Sequence, residues 1–161
     1  RDCVLMRSQP QLFQMDEDWL DRFSAALIGK AVTHVWRGYG SAIFVEFGAL
    51  AMSTSGRNGV QPQGEFGLMI EWSWRLSDSC SVLCGSWSEE QDCAACLGRL
   101  IGLTVAEVQT FAQPPEILVV FSNGLSLASF MTAQGDPGWA LFDRREAEIA
   151  IGCEGGRIVP C

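Results

Sequence analysis

Apolar residues recur at helical spacing in Trp19, Leu20, Phe23 and Leu27, behind a run of acids at Asp16, Glu17 and Asp18, and Gly29 ends the run. This pattern predicts a helix with one apolar stripe whose first-turn acids suit the positive end of the helix dipole. Cys93, Cys96, Leu97 and Leu100 form a second stripe of the same kind, stopped by Gly102. Ser88-Glu89-Glu90-Gln91 before it reads as a capping box with Ser88 as the cap. After each glycine the period falls from 3.6 to 2, which predicts strands over residues 31–37 and 104–111. β-branched and aromatic runs follow at 43–47 and 117–121, and Asn123-Gly124 supplies a tight hairpin turn into a strand at 126–130. Glycine-rich turns near 64–68 and 135–139 introduce further strands, and short strands at 81–84, 149–151 and 157–159 complete the pattern. The polar stretch 53–59 reads as a loop inserted in the first half.

The two halves follow one plan. Leu27-Ile28-Gly29, then Val32 and Val35, recurs as Leu100-Ile101-Gly102, then Val105 and Val108, at an offset of 73 (100 − 27). The offset also pairs Leu20 with Cys93 and Phe23 with Cys96, so it includes the helix. It becomes 74 (117 − 43) at Ile43 and Ile117, after a loop carrying Pro114-Pro115. The expected fold class is therefore α+β, an internally duplicated unit of one helix plus four or five antiparallel strands. Repeat one spans about 15–87 and repeat two about 88–161. The junction Gly85-Ser86-Trp87-Ser88 is too short for a linker, so the two pseudo-symmetric halves should pack into one domain.

Leu100, Gly102, Val105, Val108, Phe121, Gly124, Leu127, Trp139 and Leu141 together form a longer pattern. It resembles a family of small, uncharacterised bacterial proteins in which Leu-x-Gly-x-x-Val-x-x-Val precedes Phe-x-x-Gly-x-x-Leu and a later Trp-x-Leu strand. The resemblance runs in order over most of the chain. It implies the helix-plus-hairpin architecture and carries no activity with it.

Composition narrows the function classes. The formal charge of −8 and pI near 4.5 oppose a phosphate backbone, and among the basic residues only Arg144-Arg145 are adjacent. Nucleic acid is not an expected partner. No apolar run approaches the roughly 20 residues that span a bilayer, so no membrane is expected either. The opening residues Arg1 to Arg7 are too short and interrupted for a signal peptide. Seven cysteines, an odd number, then read as small thiols in a reducing cytoplasm.

Cys80-x-x-x-Cys84 and Cys93-x-x-Cys96 invite a zinc reading, since four thiolates can close a tetrahedral site. Against it, positions four apart on a strand are about 13 Å distant. Cys93 and Cys96 also occupy stripe positions held by Leu20 and Phe23 in the first half. The reading adopted is no metal and no cofactor, with zinc at Cys80, Cys84, Cys93 and Cys96 as the alternative. His34, the sole histidine, alternates with Val32 and Trp36 and reads as half-buried and hydrogen-bonded rather than catalytic. Gly38-Tyr39-Gly40-Ser41 joins two strands and lacks the helix N-terminus that a phosphate loop needs.

Divergence between the halves points to candidate binding residues. The first half carries Trp36, Arg37 and Tyr39 where the second carries Gln109, Thr110 and Ala112. It also carries Glu71-Trp72-Ser73-Trp74-Arg75 opposite Phe142-Asp143-Arg144-Arg145-Glu146. Read as one strand, this segment turns Ile70, Trp72, Trp74 and Leu76 to one face and Glu71, Ser73 and Arg75 to the other. Trp, Tyr and Arg are the types that anchor recognition surfaces, although a larger core rimmed by ion pairs among Arg37, Glu71 and Arg75 would give the same enrichment. The function expected is a non-enzymatic cytoplasmic binding protein acting on a partner protein or a second copy of itself. An immunity- or antitoxin-like role suits its acidity. The alternative is a small-molecule binder or enzyme with a pocket between the halves. Trp36, Tyr39, Trp72 and Trp74 would wall it, with Glu71, Arg75 or His34 as polar groups.

Overall fold

The chain weaves between two antiparallel sheets instead of finishing one before starting the other. The computed structural model describes residues 11–52 and 61–161, with the side chains of the first helix described from Trp19 onward. Its first half runs α1 (Gln11–Leu27), β1 (Val32–Arg37), β2 (Ile43–Met52), β3 (Pro62–Ile70), β4 (Trp74–Ser77) and β5 (Val82–Gly85). The second runs α2 (Glu90–Gly98), β6 (Val105–Phe111), β7 (Glu116–Phe121), β8 (Ser126–Ser129), β9 (Trp139–Asp143), β10 (Ile149–Glu154) and β11 (Arg157–Pro160). One sheet has the order β1-β2-β3-β9-β10-β11 and the other β5-β4-β8-β7-β6. Each half therefore builds a three-stranded meander and sends its later strands to extend the meander of the other half.

The crossings at 71–73 and 130–138 are what make one core of two sheets. Phe47, Phe66, Leu68 and Trp139 of the first sheet join Trp74, Val119, Phe121 and Leu127 of the second in a single buried cluster. Phe23 and Leu27 of α1 and Cys93 and Leu97 of α2 belong to it too. α1 packs on β6 and β11, one edge strand from each sheet, and α2 packs on the edge strand β5. Edge strands present unpaired N–H and C=O groups, and here helices pack on three of the four edges, β5, β6 and β11.

The sheets are tied together at the start of β1 and β6. Gly29 N–H donates to Val105 O and Gly102 N–H to Val32 O, both at 2.8 Å. Val32 N–H donates to Leu103 O at 2.8 Å, and Val105 N–H to Lys30 O at 3.0 Å. Ala31 and Thr104 bridge between them. Each bond has a counterpart shifted by the 73 residues read from the sequence. Gly29 and Gly102 take φ of 82° and 85°, the left-handed turn that lets the chain leave a helix and enter this seam. The β1–β2 register shifts between Val32 and His34, and the β6–β7 register between Val105 and Glu107. Leu27, Leu100, Val32, Val105 and Val108 are buried, and Val35 is partly buried against the core.

Three local expectations need correction. Ser88 does not cap α2: Glu89 holds the cap position with no side-chain bond, while Ser88 Oγ accepts the Gly85 N–H at 3.0 Å. The helix also ends at Gly98, before Leu100 and Gly102. The segment 70–76 is not one strand, because the chain changes sheets at 71–73. Ile70, Trp74 and Leu76 stay buried, but Trp72 turns out to solvent and Ser73 turns in. The second half has six strands rather than four or five, β11 being the extra one. The polar stretch 53–59 lies outside the described residues. Among the described residues no helix is long and apolar enough to cross a membrane.

An added Cβ at Gly29 or Gly102 would meet nothing within 4 Å, so replacement by alanine introduces left-handed strain without a clash. Gly29→Ala and Gly102→Ala should each cost about 1 kcal/mol in urea unfolding, and the two costs should be equal within error. A large difference would show that the two turns carry different loads.

Candidate functional site

Three chain connections meet at one end of the first sheet. The β1–β2 hairpin closes with Gly38 N–H to Ala42 O at 2.8 Å, and Gly40 takes a φ of 65° within the turn. Ser41 pins this turn to the sheet crossing: its hydroxyl donates to Trp72 O at 2.7 Å, and its own carbonyl accepts the Trp74 indole N–H at 2.7 Å. Trp74 is 0% exposed, so the turn hangs from a fixed core residue. The third connection arrives through Glu71 N–H, which donates to Gly138 O at 2.7 Å. A Cβ at Gly138 would lie 2.6 Å from Trp72 Cδ1, so only glycine lets the indole settle there. The result is a braced tip carrying Tyr39, 93% exposed, and Trp72, 54% exposed.

A groove of about 440 Å³ runs beside this tip, between β1 and α2. His34, Trp36 and Arg37 line one wall, and Glu90, Ala94 and Ile101 line the other. Trp36 is held by two contacts. It stacks on its cross-strand neighbour Phe44, with centroids 3.9 Å apart and planes 4° from parallel, and its indole N–H donates to Glu46 Oε1 at 3.3 Å. His34 Nε2 lies 3.2 Å from Gln61 Oε1. Among the described residues, the Arg37 guanidinium reaches the Gly40 carbonyl, at 3.5 Å. At the corresponding place in the other half, α1 bonds directly to β6 through Ser24 Oγ to Val108 O, at 2.9 Å.

Below the groove lies a buried ion pair. Glu46 is 1% exposed and receives Arg144 Nη1 at 2.9 Å. Its carboxylate also accepts the Gly64 N–H at 3.0 Å and the Trp36 indole. Arg144 also donates to Gly64 O at 3.2 Å and to Glu148 at 3.2 Å. Gly67 makes the contact possible, since a Cβ there would fall 2.8 Å from the guanidinium. A second buried carboxylate, Glu116, is held by the Ser129 hydroxyl and by Met131 N–H at 2.5 Å. Through the indole bond to Glu46, the Glu46–Arg144 pair helps to position Trp36.

The cysteines of the zinc alternative do not assemble. Cys80 is exposed, with its sulfur 3.5 Å from Ser79 Oγ. Cys84, Cys93 and Cys96 gather instead at the outer edge of β5. Cys93 donates to Gly85 O and Cys96 to Leu83 O, both at 3.5 Å, so the helix thiols meet the carbonyls on either side of Cys84. Among the described residues no group of three or more His, Cys, Asp or Glu is arranged to hold a metal ion. Burial, and then the Cys96 thiol beside it, push the Cys84 thiol up to about 12.

The structure thus divides the residues read from the sequence. His34, Trp36 and Arg37 share the groove; Tyr39, Glu71 and Trp72 share the tip. Trp74 is a core residue that anchors the tip, because the crossing at 71–73 turned its face inward. Arg75 projects from β4 with its guanidinium 5.6 Å from the Phe130 ring. Ser41, Glu46 and Arg144 escaped the sequence reading. A glutamate amid the apolar run 43–47 was the one available signal for a buried pair, and nothing local marked its partner. No protein-family model, curated protein or solved structure matches the chain.

Removing Arg144 strands a buried carboxylate, so Arg144→Ala should cost about 3 kcal/mol or more in chemical denaturation. A loss below 1 kcal/mol would mean that Glu46 finds water. At the rim, the Arg145 guanidinium beside Asp143 holds that carboxyl below its ordinary range. An acid with a depressed folded-state pKa stabilises the fold above its unfolded value, near 3.9, and loses that contribution as pH falls through the folded value. Denaturation midpoints should therefore fall below about pH 4, and Asp143→Asn should flatten that decline by at most about 1 kcal/mol, the worth of a surface pair.

Proposed function

We propose that this chain is a non-enzymatic binding protein, and that its contact face runs from the Tyr39–Trp72 tip along the β1–α2 groove to the start of α2. The observation that carries the reading is the brace. Two large aromatic side chains are held out to solvent by a turn pinned to the core through Ser41 and Trp74. An aromatic that is already ordered loses little entropy on binding, which is why such residues dominate recognition energetics. Arg37 and Glu71 supply charge around the tip. Exposed Glu89, Glu90 and Asp92 make the far end of the face acidic. With a net charge of −8, the partner this face fits is a protein with a basic, concave surface. A cytoplasmic, immunity- or antitoxin-like role, neutralising a basic enzyme, is the biological form of that chemistry.

The proposal includes internal duplication of the domain. The two-by-two seam bonds, the paired register shifts and the matching strand orders β1-β2-β3-β9-β10 and β6-β7-β8-β4-β5 support it. On that basis the groove occupies one of two equivalent places, and only this one carries His34, Trp36 and Arg37. Their counterparts are Glu107, Gln109 and Thr110. One half keeps the packing and the other is freed to change.

A second reading uses the same groove for a small molecule. Its support is that three of the expected residues share one concavity of about 440 Å³ at the meeting of the halves. A thermal-shift screen against carboxylate and aromatic metabolites separates the two, since a partner-binding face gives no shift.

The test of the first reading is comparative capture from lysate of the source cell. Wild type should retain a basic protein in a salt-sensitive way. Tyr39→Ala and Trp72→Ala should each weaken the complex by about 2 kcal/mol, roughly 30-fold. Ile28→Ala, an exposed apolar position outside the groove, should leave it unchanged. Capture that survives both aromatic substitutions, or is lost equally with Ile28→Ala, overturns the proposal. Sedimentation of the wild type and the double variant reports whether the partner is a second copy.

A further inference from the structure

Two edge strands of the fold correspond in position, yet only one is covered by a helix. In the β1–β2 hairpin, Gly38 N–H donates to Ala42 O at 2.8 Å. Bonded and non-bonded pairs alternate along an antiparallel ladder, so counting from Gly38 the Trp36–Phe44 and His34–Glu46 pairs carry the bonds to β2. Val35 and Arg37 therefore turn their N–H and C=O groups away from β2, along the outer edge of the sheet. At the 73-residue offset, Val108 and Thr110 do the same on β6. There α1 lies against the edge, and the Ser24 hydroxyl donates to Val108 O at 2.9 Å. The same offset puts Leu97 where Ser24 stands, and leucine has no donor to offer Val35 O. α2 packs on β5 instead, and the groove of about 440 Å³ runs between it and β1, walled by Ala94, Leu97, Gly98 and Ile101. Among the described residues, nothing bonds the outward backbone groups of Val35 and Arg37.

We propose that the outer edge of β1 is a strand-addition site, on which an extended basic segment of a partner protein pairs its main chain with Val35 and Arg37. The proposal rests on the reading of this face as a binding surface and specifies how the partner is held. Val35 and Arg37 stand about 7 Å apart along the strand, and each offers one donor and one acceptor. Main-chain bonds of this kind supply affinity, and the pockets beside them select the side chains. The α2 wall is apolar at Ala94, Leu97 and Ile101 and acidic at Glu90, with Glu89 and Asp92 exposed at the same end of the helix. Arg37 offsets only one of these acids. Successive side chains of an added strand point to opposite faces, so the segment that fits alternates apolar with basic residues. A second copy of this chain is the poorer occupant, because each copy carries a net charge of −8 and would bring its own acids to the groove.

The probe is a six-residue peptide of alternating valine and lysine, as long as β1, titrated into the isotope-labelled protein while amide exchange is followed by NMR. The Val35 and Arg37 amides should gain protection, and the Trp36 amide, already bonded to β2, should not change. N-methylation of either the valine or the lysine amides removes the donors along one edge of the peptide, and one of the two methylated forms should bind about tenfold more weakly. A valine–glutamate peptide should give no protection. On the protein side, Arg37→Pro removes an outward N–H without breaking the ladder to β2, whereas Arg37→Ala keeps it. Arg37→Pro should bind the peptide about tenfold more weakly than Arg37→Ala, with circular dichroism checking both folds; the methylated peptides decide the matter on wild type if the proline variant unfolds. Equal binding of the parent and both methylated peptides, protection away from Val35 and Arg37, or equal protection by the valine–glutamate peptide overturns the site. Protection that rises with protein concentration in the absence of peptide assigns the edge to a second copy and overturns the partner segment. The peptide carries nothing for the aromatic tip, so it is read independently of lysate capture. Capture that depends on Tyr39 and Trp72 without peptide protection strikes the edge alone, and the reverse strikes the tip alone.

Discussion

Everything in this fold depends on the seam between residues 29–32 and 102–105. Each half alone would leave a three-stranded meander with an open edge and a separate set of later strands, β4–β5 or β9–β11, cut off from the sheet they extend. The seam fixes the starts of β1 and β6 against each other, and that decides where the later strands of each half can reach. Such an exchange is entropically demanding, because the closing contacts join residues far apart in sequence. What offsets it is burial: one core drawn from both sheets and both helices instead of two cores each too small to be stable.

The interlocking also explains how α helices come to be used. A sheet whose outermost strand is supplied by the other half still ends in an edge, and both helices lie against edges. α1 bonds to β6 through Ser24, and α2 covers β5 through thiols. Thiols are weak donors, so α2 is held on its edge more by the burial of Cys93 and Leu97 than by hydrogen bonding. The shorter, less closely bonded helix is the one beside the groove, as expected if the recognition surface sits where the packing is least constrained.

How much of this was legible depended on the range of the interaction. Leu27, Gly29, Val32 and their counterparts announced helix, turn and strand through local periodicity alone, and all but Leu100, which is buried just past the end of α2, took the element their spacing implied. The exchange of strands between sheets was not legible, because period-2 alternation says which face is apolar and nothing about which sheet receives it. Trp72 and Trp74 show the cost. Alternation put both on one face, but a change of sheet at 71–73 reversed one of them and made it a surface residue while the other became the anchor. Arg144 was invisible for the same reason, its buried partner Glu46 lying 98 residues away. Ser88 failed more locally: its hydroxyl satisfied the strand end behind it rather than the helix ahead.

The candidate site inherits its rigidity from these long-range contacts. Trp36 is stacked by Phe44 and fixed by Glu46, which is fixed in turn by Arg144 from the other half of the chain. Tyr39 and Trp72 are braced through Ser41 to Trp74, whose indole lies in the shared core. The face proposed for recognition cannot loosen without disturbing the packing between halves, and it is therefore preorganised in the free protein. Preorganisation favours slow dissociation over fast association, since the aromatic anchors do not need to be ordered on contact. The acidity of the chain supplies the complementary effect. For the basic partner proposed, a net charge of −8 would speed encounter and be screened by salt, whereas contacts of the aromatic side chains would not. Salt should consequently act on the association rate, and substitution at the tip on the dissociation rate. That separation follows from where the charges and the aromatics sit in the fold.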